Sequence, residues 1–294
     1  MNETDLSNYK KAGEITVKVK EFARKFIKKD MLLTEIAKRI EDEIKELGGK
    51  LAFPVNLSMD DIAAHYHPLF NDEKRAEGLL KVDFGVHIDG CIADTAISID
   101  LTNGKYKELI EASENALNQA LSLLDENPTL HEIGETIQTS VEERGFSPIV
   151  NLSGHSIEKY DVHAGITIPN YGNNSTVKLK DGVYAIEPFV TTGEGKIYEG
   201  NNGNIYILHK PRNIRSEIAR RILDYIVTEK KTLPFSSREL QEKFGNMARL
   251  AIKELEQNNV IKAFPQLIEV SHKPVAQSEH TFIKHNGKII VITR

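Results

Sequence analysis

The segment KVDFGVHIDGCIADTAISI, residues 81–99, places two acidic residues, Asp83 and Asp94, in β-rich sequence. An Asp-Gly pair between two apolar runs, as in this segment, is a strong hairpin signal. A hairpin centred on Ile88 and Asp89 puts Asp83 directly opposite Asp94, with Cβ atoms about 5 Å apart on one face. Two carboxylates that close must share a proton or a cation. The pair predicts a divalent metal site, unless both side chains face water on an edge hairpin.

A metal site needs ligands from other segments as well, and three residues offer them. His155 lies in NLSGHSIEKY, which we predict to be a polar Gly-Ser loop, and a solvated surface residue is the alternative interpretation of this histidine. Glu187 lies in VYAIEPF and Glu279 in AQSEHTFIK, two apolar β-like segments. A glutamate in such a segment is rarely buried without a partner. Exposed edge positions are the alternative for both glutamates.

These ligands form a carboxylate-rich set with one imidazole, and His163 in DVHAG supplies a second imidazole nearby. Such a set suits Mn²⁺, Fe²⁺, Co²⁺ or Zn²⁺ in a two-metal hydrolase better than a structural zinc site, which prefers Cys and His. The only cysteine, Cys91, excludes a Cys-based zinc site and an internal disulfide. No single spacing is diagnostic, so the residues by themselves predict a metal-dependent hydrolase.

The composition is that of an ordinary globular protein, with 40% hydrophobic and 28% charged residues in 294. The sequence contains no apolar run of about 18 residues, which a transmembrane helix would need. Charges are spread through residues 1–26 and leave no apolar stretch for a secretory signal. We therefore expect a cytoplasmic monomer that does not bind membranes. The net charge of −5 argues against nucleic acid as a specific partner.

Apolar periodicity predicts the elements that must position these residues. Four helices are expected at 4–28, 33–47, 106–124 and 130–144, the last with Thr129 as its N-cap. Further predictions are a strand in LAFPVNLS, a short helix in MDDIAAHY, the hairpin at 80–100, a strand over 183–191 and β structure over 275–293. A helix pair followed by strands occurs both before and after residue 105, which indicates a loose internal symmetry.

Residues 210–262 differ from the rest of the chain. They hold 12 Lys and Arg against 7 Asp and Glu, and they show three helical patterns. The patterns resemble a winged-helix module, which is a common DNA-binding shape. No helix face carries a dense basic cluster, however, so a solvated helical lid is the preferred interpretation. We predict a helical subdomain at 210–262 that is inserted into a catalytic domain formed by 1–209 and 263–294.

The segments AAHYHP, KVDFGVHIDGCIADTA, NLSGHSI, YDVHAG, VYAIEPF and AQSEHT resemble, in order, the signature segments of type II methionine aminopeptidases. The resemblance covers nearly the whole chain and is strongest to the archaeal form. It implies the α+β pita-bread fold of the M24 metallopeptidases, in which pseudo-twofold halves surround a curved antiparallel sheet. Type II enzymes carry a helical insertion between the two glutamate ligands, and residues 210–262 match it.

The resemblance also implies a role for each site residue. Asp83 would chelate one of two divalent ions, Asp94 and Glu279 would bridge both, and His155 and Glu187 would complete the other. A metal-bridging hydroxide would attack the first peptide bond, with Glu279 moving protons. The remaining assigned residues are His65 beside the substrate amine, His163 at the peptide carbonyl, and Phe53 and Val162 as walls of the methionine pocket. Without the resemblance, Phe53 is more simply a core residue.

Two residues depart from the family pattern. His67 stands where relatives often have Thr, and it would bind a stray metal ion or line the site entrance. Ser278 precedes Glu279 where an aromatic residue is common, which would alter the pocket. Neither residue is a metal ligand. The expected activity is therefore the removal of the initiator methionine from nascent polypeptides, with small second residues preferred, as the family implies.

Two other functions remain open at this point. A proline-specific peptidase of the same fold would share the five ligands, but such enzymes usually carry a separate N-terminal domain and lack the insertion. A catalytically silent homologue would bind ribosomes or nucleic acid, and the basic segment 210–262 gives this some support. Retention of all five ligand positions favours catalysis. A transient ribosome contact is compatible with an enzyme that trims nascent chains.

Overall fold

The computed structural model describes all of residues 1–294. Its seven α-helices are α1 (Glu3–Phe26), α2 (Leu33–Glu46), α3 (Lys107–Leu123), α4 (Leu130–Glu142), α5 (Glu217–Tyr225), α6 (Ser237–Phe244) and α7 (Ala248–Gln257). A 3₁₀ turn (Leu124–Glu126) follows α3, and a π-helical turn (Ile226–Lys230) follows α5. None of the helices has the length and apolar character that spanning a bilayer requires.

The strands are short except for those that build the central hairpins. In chain order they are β1 (Lys50–Leu51), β2 (Asn56–Met59), β3 (Ile62–Ala64), β4 (Leu79–Ile88), β5 (Cys91–Asp100), β6 (Ser147–Pro148), β7 (Ser153–Ile157), β8 (Thr167–Pro169), β9 (Gly182–Ile186), β10 (Phe189–Thr191), β11 (Ile197–Leu208), β12 (Phe235–Ser236), β13 (Ile261–Glu269), β14 (Val275–Gln277), β15 (His280–His285) and β16 (Lys288–Val291). All pairings are antiparallel.

These strands form four sheets that meet around the centre of the molecule. In the first, β4 pairs with β5 on one edge and with β1 and β2 on the other. The others have the orders β14-β10-β6, β12-β11-β13-β3 and β16-β15-β9-β7-β8. Helices α1 and α2 bury their apolar residues against the β4–β5 hairpin, whereas α3 and α4 pack on β9 and β15. Two helix pairs thus back two sets of strands, which matches the internal symmetry of the sequence.

The four long helices lie where periodicity predicts them, within two residues at each end. Thr129 caps α4 as expected, because its hydroxyl accepts the Glu132 amide and the Glu132 carboxylate accepts the Thr129 amide. This reciprocal pair satisfies two backbone donors that the first helical turn leaves free.

The β4–β5 hairpin forms, but the predicted register is wrong. Asp89 and Gly90 are the two turn residues, with φ of 47° and 84°, and Ile88 pairs with Cys91. A two-residue turn of this type needs positive φ at both central positions, which Asp and Gly tolerate and a β-branched Ile does not. The centre of the turn therefore lies one residue beyond the predicted centre at Ile88 and Asp89, and the partner of Asp83 moves by two residues, from Asp94 to Ala96.

Three further predictions about local structure are wrong. MDDIAAHY is not a helix: a tight turn leads into β3, which pairs with β13. His155 lies not in a loop but on β7, a strand that pairs with β8 and β9. The strand predicted over 183–191 is broken at Glu187-Pro188 into β9 and β10, which join different sheets. In each case long-range pairing overrides local composition.

Helices α5, α6 and α7 lie between β11 and β13 and share a hydrophobic cluster separate from those of the other helices. The cluster also contains Tyr206 of β11 and Ile261 of β13. The strands that lead into and out of this region therefore contribute to its core. The division into an inserted subdomain at 210–262 and a catalytic domain at 1–209 and 263–294 stays a prediction.

Candidate metal centre

Four carboxylates and one imidazole, on strands or directly beside them, converge on one cavity. Asp83 comes from β4, Asp94 from β5 and His155 from β7. Glu187 follows the end of β9, and Glu279 lies between β14 and β15. The ligand atoms of Asp94, His155 and Glu279 all lie within 4.8 Å of one another.

His155 faces two of the carboxylates. Its Nε2 atom lies 3.8 Å from Asp94 Oδ2 and 3.6 Å from Glu187 Oε1. Burial, followed by the nearby His163, lowers the pKa of His155 to about 3. The imidazole is therefore neutral at physiological pH, which is the form that ligates metals.

Asp83 and Asp94 are diagonal neighbours instead of direct cross-strand partners. Asp83 pairs with Ala96 and Asp94 pairs with Gly85, so both side chains share one face of the hairpin. Diagonal neighbours on paired strands are about 7–8 Å apart, which is close enough for their carboxylates to interact. The corrected register keeps both acids on the same face and leaves room between them.

Without a counter-charge, keeping these buried carboxylates ionised costs free energy. Burial raises the pKa of Asp83 to about 7. The pKa values of Asp94, Glu187 and Glu279 are raised well above their usual range, by burial first and then by neighbouring carboxylates. Buried acids that repel each other take up protons unless cations lie among them.

Buried polar atoms of the cluster that lack a hydrogen-bond partner indicate whether a metal ion fits there. Oδ1 of Asp83, Oδ1 of Asp94 and Oε1 of Glu279 are buried and have no hydrogen-bond partner, and Nε2 of His155 lies beyond hydrogen-bond distance of the acids that it faces. Buried polar atoms are nearly always paired, so three unpaired oxygens around one imidazole nitrogen indicate a binding site for a shared partner. Carboxylate oxygens with an imidazole are suitable donors for a divalent ion. The buried Asp, His and Glu cluster thus suits divalent metal binding.

The cluster lies in a cavity of about 320 Å³ that has apolar walls. Its hydrophobic lining consists of Phe53, Ala64, Leu152, Val162, Ile166, Phe189, Ile205, Phe264 and Leu267, and its polar lining includes His65 and His163 beside the five ligand candidates. Every site residue that the sequence predicted therefore lines one cavity. Phe53 is 8% exposed and also belongs to the core, so both interpretations of that residue hold.

Two further histidines, His65 and His163, line the cavity beside the cluster. The His163 ring packs edge-on against His155, with centroids 4.4 Å apart. His163 keeps an exposed surface, but the protein atoms crowded around its ring lower its pKa. His65 donates through Nδ1 to the Pro265 carbonyl oxygen 3.2 Å away, because a carbonyl oxygen can only accept. Burial and the neighbouring His163 lower the pKa of His65 to about 4.

The backbone of His65 is strained. Its φ is 65°, in the left-handed region that costs a residue other than glycine about 1–3 kcal/mol. The opposite strand approaches closely here, because a Cβ atom on Gly203 would lie 1.8 Å from the His65 carbonyl oxygen. Such a conformation persists only where its surroundings enforce it, and it turns the imidazole towards the cavity.

Comparison with known proteins identifies the family. The model of metallopeptidase family M24 matches residues 7–229. The methionine aminopeptidase of Pyrococcus abyssi is 44% identical over 98% of this chain and 99% of its own length. The chain belongs to the methionine aminopeptidases of metallopeptidase family M24.

Solved structures show the same fold. A thermophilic Arx1 superposes with a TM-score of 0.82 at 15% identity, covering 99% of this chain and 91% of the other. A methionine aminopeptidase from Thermotoga maritima superposes with a TM-score of 0.70 at 21% identity, covering 100% and 98%. The family and these structures confirm the M24 pita-bread fold class and the resemblance to type II methionine aminopeptidases.

Sequence reasoning missed the residues that hold the M24 ligand cluster in place. Gln277 Nε2 lies 3.4 Å from Asp83 Oδ2 and 3.3 Å from Glu187 Oε2, so one amide donates towards two acids. The Thr281 hydroxyl accepts a hydrogen bond from the Asp94 amide and donates one to the Asp94 carbonyl oxygen, both at 2.8 Å. This pair of bonds joins β15 to β5. A buried Gln in a short strand was the available signal, since such an amide needs partners.

The two departures from the family pattern do not reach the cavity. Ser278 turns to α3, where its hydroxyl lies 2.7 Å from that of Ser113, so it does not shape the pocket as expected. His67 is fully buried, with Nδ1 2.7 Å from the Val55 carbonyl oxygen and Nε2 3.1 Å from Arg238 Nε. Both of its nitrogens are committed, so neither expected role of His67 holds: it lines no entrance and has no free lone pair for a stray ion.

Proposed function

We propose that this protein is a metal-dependent aminopeptidase that removes the N-terminal methionine of polypeptides by hydrolysing the first peptide bond. The observation that supports this most is the cluster of unpartnered carboxylate and imidazole atoms in an apolar-walled cavity. Because the chain belongs to the methionine aminopeptidases, we propose that the reaction in this cavity is removal of an N-terminal methionine.

The proposed ligands are the four carboxylates and one imidazole of the cluster: Asp83, Asp94, His155, Glu187 and Glu279. Four negative charges match two divalent ions, and Co²⁺, Mn²⁺, Fe²⁺ and Zn²⁺ all suit oxygen ligands with one imidazole. Bound ions would supply a water of lowered pKa and polarise the scissile carbonyl. Every ligand lies on a strand or directly beside one, so the set is held rigidly.

The protein's own groups would handle substrate and protons. We assign proton transfer between the attacking water and the leaving amine to Glu279, whose carboxyl lies among the ligand atoms. His163, at the edge of the cluster, would donate a hydrogen bond to the peptide carbonyl oxygen as negative charge develops there. His65 would contact the substrate beside its amine and scissile bond, with its Nδ1 proton held by Pro265.

The apolar walls would select the side chain. Phe53 and Val162 line the cavity together with other hydrophobic residues, and a flexible thioether fits such a surface. A cavity of about 320 Å³ that must hold both the side chain and the scissile bond leaves little room beyond them. We therefore propose that small second residues are preferred.

The setting of the reaction is part of the same proposal. The substrates would be nascent polypeptides, the location the cytoplasm, and the active form a monomer. Residues 210–262 would act as a helical insertion beside the cavity, since Pro234 lies in its lining. A transient ribosome contact through this segment fits its positive charge but is not required for hydrolysis.

Peptide hydrolysis by metal-depleted protein tests the proposal. The protein is assayed on Met-Ala-Ser and on an Ala-Pro peptide, with and without Co²⁺, Mn²⁺ or Fe²⁺. We expect metal-dependent release of free methionine from Met-Ala-Ser and no cleavage of the Ala-Pro peptide. Asp94→Asn is the matched control, because it removes one ligand charge and should abolish release with every ion.

Each other outcome points to a different function. Cleavage only before proline would assign the protein to the proline-specific peptidases of this fold. Absence of cleavage with two ions bound would assign it a binding function and direct attention to residues 210–262. Release that does not depend on added metal would overturn the metal-based mechanism.

A further inference from the structure

Arg238 of α6 is almost completely buried and joins three parts of the molecule. Its Nη2 pairs with Glu41 of α2, and its Nη1 donates to Glu242 at 3.1 Å. Its Nε donates to His67 Nε2 at 3.1 Å. Only Glu242 is substantially exposed, with 48% of its side chain accessible. An arginine that uses all three nitrogens in one buried site has a fixed orientation.

The hydrogen bonds of His67 determine its protonation. The Val55 carbonyl oxygen can only accept, so Nδ1 carries the proton and Nε2 is the acceptor for Arg238. The imidazole is thus a neutral connector with one donor and one acceptor, both used. It links the insertion helix α6 to the backbone just before β2.

His67 also anchors the short segment that carries His65. The His67 amide donates to the Gly203 carbonyl at 3.0 Å, and its own carbonyl accepts the Asn204 side chain at 2.9 Å. His65 lies two residues earlier, with its backbone in the left-handed region and its ring lining the cavity. A segment tied at one end by a buried side chain can hold the other end in a strained conformation.

We propose that Arg238 and His67 form a positioning pair that holds His65 at the substrate-binding site. Arg238 fixes the imidazole of His67, and His67 in turn fixes the backbone turn that directs His65 into the cavity. The inference rests on the proposed function for its effect on catalysis. The structural claim is that the position of His65 depends on Arg238 through His67, and this claim holds whichever reaction the protein catalyses.

A matched set of variants tests the pair in the metal-loaded enzyme. His67→Leu removes donor and acceptor at similar volume, whereas His67→Gln retains one of each. Glu242→Gln weakens only the hydrogen bond between Arg238 Nη1 and the partly exposed Glu242, and it serves as the control. The readouts are kcat and KM for Met-Ala-Ser and the imidazole ¹⁵N and ¹H shifts of His65, assigned with the His65→Ala variant.

We expect His67→Leu to lower kcat/KM by about 10–100-fold, mainly through kcat, since small misplacements of contacting groups have effects of this size. The His65 shifts should move in parallel. His67→Gln should restore most of the activity and the shifts, and Glu242→Gln should resemble the wild type. In a His65→Ala background, His67→Leu should cause no further loss, because the two act in series.

Unchanged His65 shifts and kcat in His67→Leu would overturn the positioning pair. A loss that persists undiminished in the His65→Ala background would also overturn it. Should His65→Ala retain full activity, the assigned role of His65 fails, while moved His65 shifts in His67→Leu still support the pair. If His67→Leu does not fold, Arg238→Lys replaces it: the charge beside Glu41 remains, the Nε donor is lost, and the same expectations apply.

Discussion

Asp83 and Asp94 are diagonal neighbours on one face of the β4–β5 hairpin, and burial together with the charge of Asp83 raises the pKa of Asp94. Glu187 and Glu279 extend this repulsion, since the pKa of each is raised by burial first and then also by both aspartates. The fold therefore gathers four acids that destabilise one another at neutral pH. Cations bound among them would remove the penalty, and this coupling can be measured.

Chelation should destabilise the protein at neutral pH. Binding to the folded state alone adds about 2.7 kcal/mol when the free ion is at 100 times its Kd. For a domain of this size that corresponds to a fall in Tm of roughly 5–10 °C on removal of the ion. Thermal melts of Mn²⁺-loaded and EDTA-treated protein at pH 7.5 measure it. An unchanged Tm would show that the cluster does not hold ions in the folded state.

The stabilising contribution of Asp83 to the metal-free protein should be lost as pH rises from 5 to 7.5, against the opposite contribution of the buried histidines, whose pKa values are lowered. Burial raises the pKa of Asp83 to about 7, above its value in the unfolded chain. A carboxyl with a raised folded-state pKa stabilises the fold below its unfolded pKa and loses that effect as pH rises through about 7. Urea melts of EDTA-treated protein across this range measure it. The free energy of unfolding of the wild type minus that of Asp83→Asn should therefore fall across this range, and a difference that does not change with pH would exclude the Asp83 contribution.

His65→Ala and His163→Ala should keep the metals and lose most activity. Neither residue is among the proposed ligands, and both line the cavity beside the cluster. Loss of a group that stabilises the reacting carbonyl typically costs about 10²–10³ in kcat. Metal content by elemental analysis and kcat for Met-Ala-Ser test both parts. Loss of metal from either variant would move that histidine into the ligand set.

Glu279→Ala should weaken metal binding itself. Its carboxylate, that of Asp94 and the imidazole of His155 have ligand atoms that all lie within 4.8 Å of one another. Loss of a residue that only supports ligands costs about 10–100-fold in metal affinity, so loss of a ligand should cost at least about 100-fold. Calorimetric titration with Mn²⁺ measures it, with the surface variant Glu114→Gln as control. Two ions bound with unchanged affinity would remove Glu279 from the ligands.

Periodic apolar patterns and local capping were enough to predict the long helices. Helix α2 is expected at 33–47 and found at Leu33–Glu46, because its apolar face and the Gly-Gly after it are both local signals. The hairpin turn was equally local, since only Asp89 and Gly90 tolerate its positive φ values. Its register could have been predicted from those two residues.

Long-range contacts could not be predicted from local sequence. β3 resembles a helix in composition, but pairing with β13 some 200 residues later determines its conformation. The site residues could be predicted because their acidic and imidazole side chains are unusual in the segments that contain them, and because those segments resemble a known family. The roles of Gln277 and Arg238 could not be predicted, although Gln277 lies in the segment AQSEHT, because they depend on partners that only the folded chain brings together.

Gln277→Leu should reduce metal affinity although Gln277 is not a ligand. Its amide donates towards Asp83 on β4 and Glu187 after β9, two acids from separate segments of the chain. Without it both carboxylates are free to rotate, and supporting residues of this kind are worth about 10–100-fold in affinity. Calorimetric titration with Mn²⁺ measures the change. Wild-type affinity in Gln277→Leu would show that the strands orient the acids without help.

Thr129→Ala should destabilise the fold and leave the chemistry intact. The hydroxyl caps α4 by accepting the Glu132 amide, and replacing such a cap by Ala costs about 1 kcal/mol. Helix α4 packs behind β8 and lines no part of the cavity, so kcat and metal affinity should equal those of the wild type. Urea melts give the stability change, and Thr129→Ser is the control that keeps the hydroxyl. A loss of activity in proportion to the loss of stability would instead mean that the site depends on the stability of this helix.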